Sequence, residues 1–129
     1  MKVLVADNLS SLGVDILKKE SGIDVDVNTG LTREELIKII PDYEGLIVRS
    51  ATKVTSEVIE AATNLKVVGR AGIGVDNIDV AEAGKKGIIV MNTPEGNVIT
   101  TAEHTMALML SMSRNIPQAR SMLKDQKTW

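Results

Sequence analysis

The feature that most limits what this chain can fold into is its alternation of short aliphatic runs with helix-period segments. No hairpin signal joins any two of the runs. Residues 2–6, 45–49, 65–69 and 88–91 are nearly continuous stretches of Val, Ile and Leu, the pattern of strands buried on both faces. Residues 24–28 alternate acid with Val and read as a half-exposed edge strand. Between the runs, Leu12, Ile16 and Leu17 recur at helical spacing up to Gly22, with Ser10 and Ser11 placed to cap. Thr32-Arg33-Glu34-Glu35 is a capping box ahead of Leu36, Ile39 and Ile40, with Pro41 as the stop. Thr55 is placed to cap a helix carrying Val58, Ile59 and Ala62, and Asp79 opens a short helix that Gly87 closes. A longer helix starts near Thr100 and runs to about Arg114. Strands that alternate with helices in this way form a parallel sheet with helices on both faces. The expectation is an α/β chain, a flavodoxin-like, doubly wound, five-stranded parallel sheet in the order 2-1-3-4-5.

Composition then removes whole classes of chemistry. Lys and Arg number 15 against 17 Asp and Glu, a formal charge of −2, and Tyr43 and Trp129 are the only aromatic residues. That is neither the field nor the stacking surface of a nucleic-acid binder. The absence of cysteine excludes a disulfide framework, a thiol nucleophile and a Cys-ligated zinc, and a single histidine excludes a His-rich metal site. Asp7 ends the first apolar run well short of a signal sequence, and the apolar stretch 106–112 is far shorter than a membrane span, so the expected compartment is the cytoplasm. Length and a 43% hydrophobic content suit one compact domain. Beyond Arg114 the character changes. Ile116-Pro117 punctuates, and the polar stretch to Trp129 ends without a cap, as the beginning of a further region would.

In an open parallel sheet, ligands bind beyond the carboxyl ends of the strands. Asp7-Asn8, Asn28, Arg49-Ser50, Arg70-Ala71-Gly72 and Asn92-Thr93 stand there. Arg49 and Arg70 leave neighbouring strands about 4.8 Å apart. Two guanidinium groups on one rim suit a phosphate or carboxylate between them, the alternative being separate pairs with acids such as Asp42 or Glu44. The stretch Gly69 to Asn77 offers glycines 72 and 74, but Asn77 stands where a dinucleotide fingerprint needs a third glycine, and the next helix starts only near Asp79. It is therefore either an anion-binding loop or a plain tight turn. His104, in the first turn of the last helix, has no partner of suitable spacing and reads as facing solvent or a neighbouring domain. Residues 106–112 are apolar nearly all round, which predicts burial on more than one side and so a partner chain or further domain. The strand-three end carries Arg49-Ser50 instead of a phosphate-accepting Asp, and no aromatic stands at a strand end to stack a flavin.

Several blocks carry a family resemblance: Gly45-Leu46-Ile47-Val48-Arg49-Ser50-Ala51-Thr52, Val68-Gly69-Arg70-Ala71-Gly72-Ile73-Gly74-Val75-Asp76-Asn77, Met91-Asn92-Thr93-Pro94 and Thr101-Ala102-Glu103-His104. Over its whole length the chain resembles the amino-terminal part of NAD-dependent D-2-hydroxyacid dehydrogenases, in particular members that oxidise 3-phosphoglycerate on the way to serine. The resemblance implies a substrate-binding domain over residues 1–99. It implies that residues 100–129 are an interdomain helix and the start of an NAD-binding domain that lies further along. It implies that Arg49, Ser50, Arg70, Ala71 and Gly72 face a small phosphorylated hydroxy acid, and that Ile73 and Thr101 touch the NAD cofactor. Ile73 stands where relatives often carry Thr. The family's reacting Arg, Glu and His fall beyond this sequence, so no catalytic residue is assigned here, His104 included. A homo-oligomer is implied, and no nucleic acid or membrane. Two other readings stay open: a glyoxylate or hydroxypyruvate reductase of the same family, and a non-enzymatic anion-binding module.

Overall fold

A computed structural model describes residues 1–126 of the chain, and the uncapped end expected at Trp129 lies outside the described residues. The chain divides into two compact units, Met1–Gly96 and a second that begins at Asn97. In the first, β1 (Lys2–Val5), α1 (Ser11–Lys19), β2 (Asp24–Val27), α2 (Arg33–Ile39), β3 (Gly45–Val48), α3 (Ser56–Ala61), β4 (Val67–Arg70), α4 (Val80–Lys85) and β5 (Ile89–Met91) follow in strict alternation. All pairings are parallel and the order is β2-β1-β3-β4-β5, as expected from the sequence. The helix after Thr32 has the full capping box, with Thr32 accepting from the Glu35 amide and Glu35 reaching back to the Thr32 amide. Pro41 does not end the chain's helical course outright: a 3-10 turn, Ile40–Asp42, accommodates it near its start, where a missing N–H costs nothing. Gly87 takes a left-handed conformation at the close of α4.

The main core cluster lies on one face of the sheet. Leu4, Leu46, Val48 and Val68 point to that side and pack with Leu36, Ile40, Val58, Ile59 and Ala83 from α2, α3 and α4. Each such side chain stabilises the fold by about 1.5–3 kcal/mol through burial. The opposite face is covered in part, with Val3 and Val5 buried there. Alone among the helices of this unit, α1 runs between β1 and β2, and it contributes Leu17 to an apolar hollow of about 390 Å³ with Val3, Ile47, Val67, Gly69 and Met91. Ile89 and Met91 stay 63% and 58% exposed on β5. The weak edge strand β2 is secured by side chains: Tyr43 Oη donates to Asp26 at 2.8 Å, and Lys2 Nζ lies 3.2 Å from the same carboxylate.

The second unit holds α5 (Val98–Ser113) and α6 (Ile116–Ser121), followed by a π-helical turn, Met122–Gln126. The segment after Arg114 is helical, because Asn115 turns left-handed (φ 49°) and Pro117 then sits in the first turn of α6, where proline is tolerated. In α5, Met106, Leu108, Met109, Leu110 and Met112 are all more than half exposed within this chain. One short helix and a turn within its unit have too little surface to cover a 16-residue helix on every side. No helix among the described residues is long and apolar enough to cross a membrane.

Candidate functional site

The carboxyl ends of β3 and β4 bring six of the seven expected residues to one rim. Val48 and Arg70 are register partners, so Arg49 follows directly beyond the strand pair, beside Arg70. Arg49 is exposed, donates through Nη1 to the Asn8 carbonyl at 3.2 Å, and forms no ion pair among the described residues. The pairing with Asp42 or Glu44 is not what the structure holds; Glu44 instead meets Lys66 at 2.6 Å and the amino terminus at 3.7 Å. Arg70 differs. Its side chain is only 12% exposed, its Nε donates to Asn77 Oδ1 at 2.8 Å, and its Nη2 lies 4.0 Å from Asp76. Each guanidinium group thus has its own partners, the Asn8 carbonyl for Arg49 and Asn77 with Asp76 for Arg70.

Ser50 is exposed in the bend after Arg49. The amides of Ala71 and Gly72 are already engaged, donating to the Val48 and Arg70 carbonyls at 2.9 Å. What these two residues offer a ligand is therefore close approach without bulk. A Cβ on Gly72 would meet the Arg70 guanidinium, so glycine there leaves that group its place. Ile73 is 38% exposed, its carbonyl taken by Asn92 Nδ2 at 2.6 Å, while Thr93 N–H donates to the Gly72 carbonyl at 3.0 Å. The end of β5 thereby fixes this loop. Thr101, the seventh residue, lies in α5 of the second unit, exposed.

Two further residues carry the rim: sequence places Asp7 at a strand end and Asn77 in the glycine loop, but gives neither of them a role there. Asp7 is 5% exposed, and its carboxylate collects the Arg49 amide at 2.6 Å, the Thr52 hydroxyl at 2.6 Å and the Thr52 amide at 3.1 Å. Burial pushes its pKa up, but the bonds from Thr52 and the Arg49 amide outweigh that and hold it below the ordinary value. Asn77 donates through Nδ2 to the Arg49 and Thr52 carbonyls, both at 2.7 Å, as well as accepting from Arg70. Its place in a loop beside the two arginine-bearing strand ends was the available signal. Thr55 corrects a smaller expectation: it precedes α3 but makes no side-chain cap, and its hydroxyl is buried without a partner among the described residues. An open cleft of about 530 Å³, lined by Ser50, Lys53, Ser56, Asp76, Asn77 and Asp79, borders the rim.

Chemically, the rim can hold an anion: one exposed cation, a second one braced behind it, and hydroxyls nearby. It does not fit the pyrophosphate of a dinucleotide. The helix after the glycine loop begins at Val80, and its first turn is occupied by the Asp79 carboxylate, which accepts from the Glu82 amide at 3.0 Å.

Comparison with known proteins gives this geometry a context. The family described as D-isomer specific 2-hydroxyacid dehydrogenase, catalytic domain, matches residues 3–124. The chain is 55% identical over 127 residues to a D-3-phosphoglycerate dehydrogenase of Archaeoglobus fulgidus, covering 98% of this chain and 24% of that protein. It is 52% identical over 126 residues to the human D-3-phosphoglycerate dehydrogenase, again 98% of this chain and 24% of the relative. The chain therefore spans about a quarter of the length of these curated relatives. Among solved structures, a Pyrococcus horikoshii protein superimposes with a TM-score of 0.84 at 35% identity, over 95% of this chain and 36% of that one. An NAD+-bound 3-phosphoglycerate dehydrogenase of Entamoeba histolytica gives 0.74 at 35% identity, over 86% and 38%.

Proposed function

The chain belongs to the D-isomer specific 2-hydroxyacid dehydrogenase family, and from that premise we propose that it forms the substrate-holding part of an NAD-dependent enzyme oxidising 3-phosphoglycerate to 3-phosphohydroxypyruvate. The observation that carries the reading is Arg49: exposed, without an acidic partner among the described residues, and fixed by its own backbone to the tip of β3 beside Arg70. A guanidinium so placed presents parallel N–H groups that match a phosphate or carboxylate. In this reading Arg49 and the Nη edge of Arg70 hold the phosphate, the Ser50 hydroxyl supports it, and Ala71 and Gly72 let the acid end of the substrate approach closely. These residues bind and orient; none of them is assigned a bond-breaking role. Ile73 and Thr101 would touch the cofactor at its edge, the main dinucleotide site lying outside the described residues. Residues 100–129 would be the connection to that part of the enzyme. A place in serine biosynthesis, a cytoplasmic setting and a homo-oligomer belong to the same proposal.

The test is calorimetric titration of the chain with 3-phosphoglycerate and with glycerate. The phosphorylated acid should bind more tightly, and Arg49→Ala should weaken it by about 1.5–3 kcal/mol, the range for a hydrogen bond to a charged group. Equal losses for both acids would contradict the assignment.

A further inference from the structure

The site just described depends on where the Arg70 guanidinium and the 49–52 loop that carries Arg49 stand, and one side chain touches both. We infer that Asn77 is the positioning residue of the anion-binding rim, locking Arg70 and the 49–52 loop into one unit. The inference rests on the proposed function for its purpose, but its geometry stands independently.

Asn77 lies in the β4–α4 loop, partly buried, with its backbone carbonyl accepting from the Val54 amide at 2.8 Å. Its side chain therefore starts from a fixed base. From there Nδ2 donates to the carbonyls of Arg49 and Thr52 at 2.7 Å, and Oδ1 accepts from Arg70 Nε at 2.8 Å. Only a primary amide places two donors and an acceptor at one planar end. A carboxylate of the same shape could keep the Arg70 bond but would set an oxygen against two carbonyl oxygens. A hydroxyl could not reach all three.

The consequence for Arg70 is directional. With Nε committed to Asn77, the guanidinium cannot bind an anion side-on through Nε and Nη together. Its Nη end is what remains, and Asp76 stands 4.0 Å from Nη2. The consequence for Arg49 is different: its backbone carbonyl is pinned by Asn77 and its amide by Asp7, so the residue is held at both ends of its peptide frame while its guanidinium remains exposed. The glycine expected by a dinucleotide fingerprint at this position could do none of this.

The experiment compares the 129-residue chain with Asn77→Asp and Asn77→Ala by NMR, with 3-phosphoglycerate as the probe. In the free protein the Arg70 Nε–H should be protected from exchange. Asn77→Asp should keep that protection and speed exchange of the Arg49 and Thr52 amides, whereas Asn77→Ala should lose both. Protection of the β1 and β3 amides in the same spectra shows that each variant is folded. If Asn77→Ala does not fold, the split seen in Asn77→Asp decides. On titration, Asn77→Ala should bind the probe about tenfold more weakly, the scale of one lost charge-assisted contact. Unchanged Arg70 protection in Asn77→Ala, or unchanged probe affinity in both variants, would overturn the inference. Absence of binding by the wild-type chain would instead overturn the proposed function, and the exchange pattern would still decide the role of Asn77.

Discussion

Replacing Asp7 by Asn tests whether the rim is held from beneath. The Asp7 carboxylate receives the Arg49 amide and the Thr52 hydroxyl at 2.6 Å each and the Thr52 amide at 3.1 Å, all while 5% exposed. An amide of the same shape keeps one oxygen and turns an NH2 toward groups that themselves donate. The Thr52 hydroxyl can rotate to accept, and the retained oxygen can still serve Arg49, but charge assistance disappears from every bond. Halving the strength of two charged hydrogen bonds and leaving the Thr52 amide poorly matched costs about 2–3 kcal/mol. In urea that should lower the midpoint by roughly 1–2 M with the slope unchanged. A pH series adds a second signature. The folded carboxyl lies below its ordinary value of 3.8, so its contribution is complete above that pH and lost as pH falls through the folded value. The gap between wild type and Asp7→Asn should thus be full at neutral pH and close in acid. A loss under about 0.5 kcal/mol at neutral pH, below the usual cost of a broken buried network, would mean that the Asp7 carboxylate does not hold the rim.

Other substitutions separate binding from folding. Gly72→Ala should push the Arg70 guanidinium aside, since the new methyl would occupy its place, and reduce 3-phosphoglycerate affinity measured by calorimetry while leaving the thermal midpoint nearly unchanged. Thr55→Val should be neutral or stabilising by up to about 1 kcal/mol in urea, because it replaces a buried hydroxyl without a partner by a methyl of the same shape. Thr32→Ala should cost about 1 kcal/mol by the same assay, through loss of the capping box at α2.

The alternation of β-branched runs with helical periods made the sheet and its order legible, because strand continuity and crossover chemistry are local in sequence. The capping box at Thr32 was legible for the same reason. Asp7 and Asn77 were not, since their roles come from carbonyls and amides brought in by the fold: the Arg49 and Thr52 amides are 42 and 45 residues from Asp7. After an aliphatic strand an Asp reads as a turn residue, and only tertiary packing turns it into a buried anchor. Arg49 and Arg70 were found as strand-end residues, but sequence treats them alike, whereas one is exposed and the other is 12% exposed and braced. The exposure of Ile89 and Met91 on β5 was not legible, because hydrophobicity reports what a segment seeks and not whether its cover is at hand.

The proposed function makes this chain a holder of the substrate and not of the dinucleotide. The most direct measurement is a paired titration of the chain with 3-phosphoglycerate and with NADH. Heat and saturation are expected with 3-phosphoglycerate, weakened by added salt and by Arg49→Ala, with no saturable binding of NADH. Tight NADH binding, or 3-phosphoglycerate binding indifferent to Arg49→Ala, would contradict it.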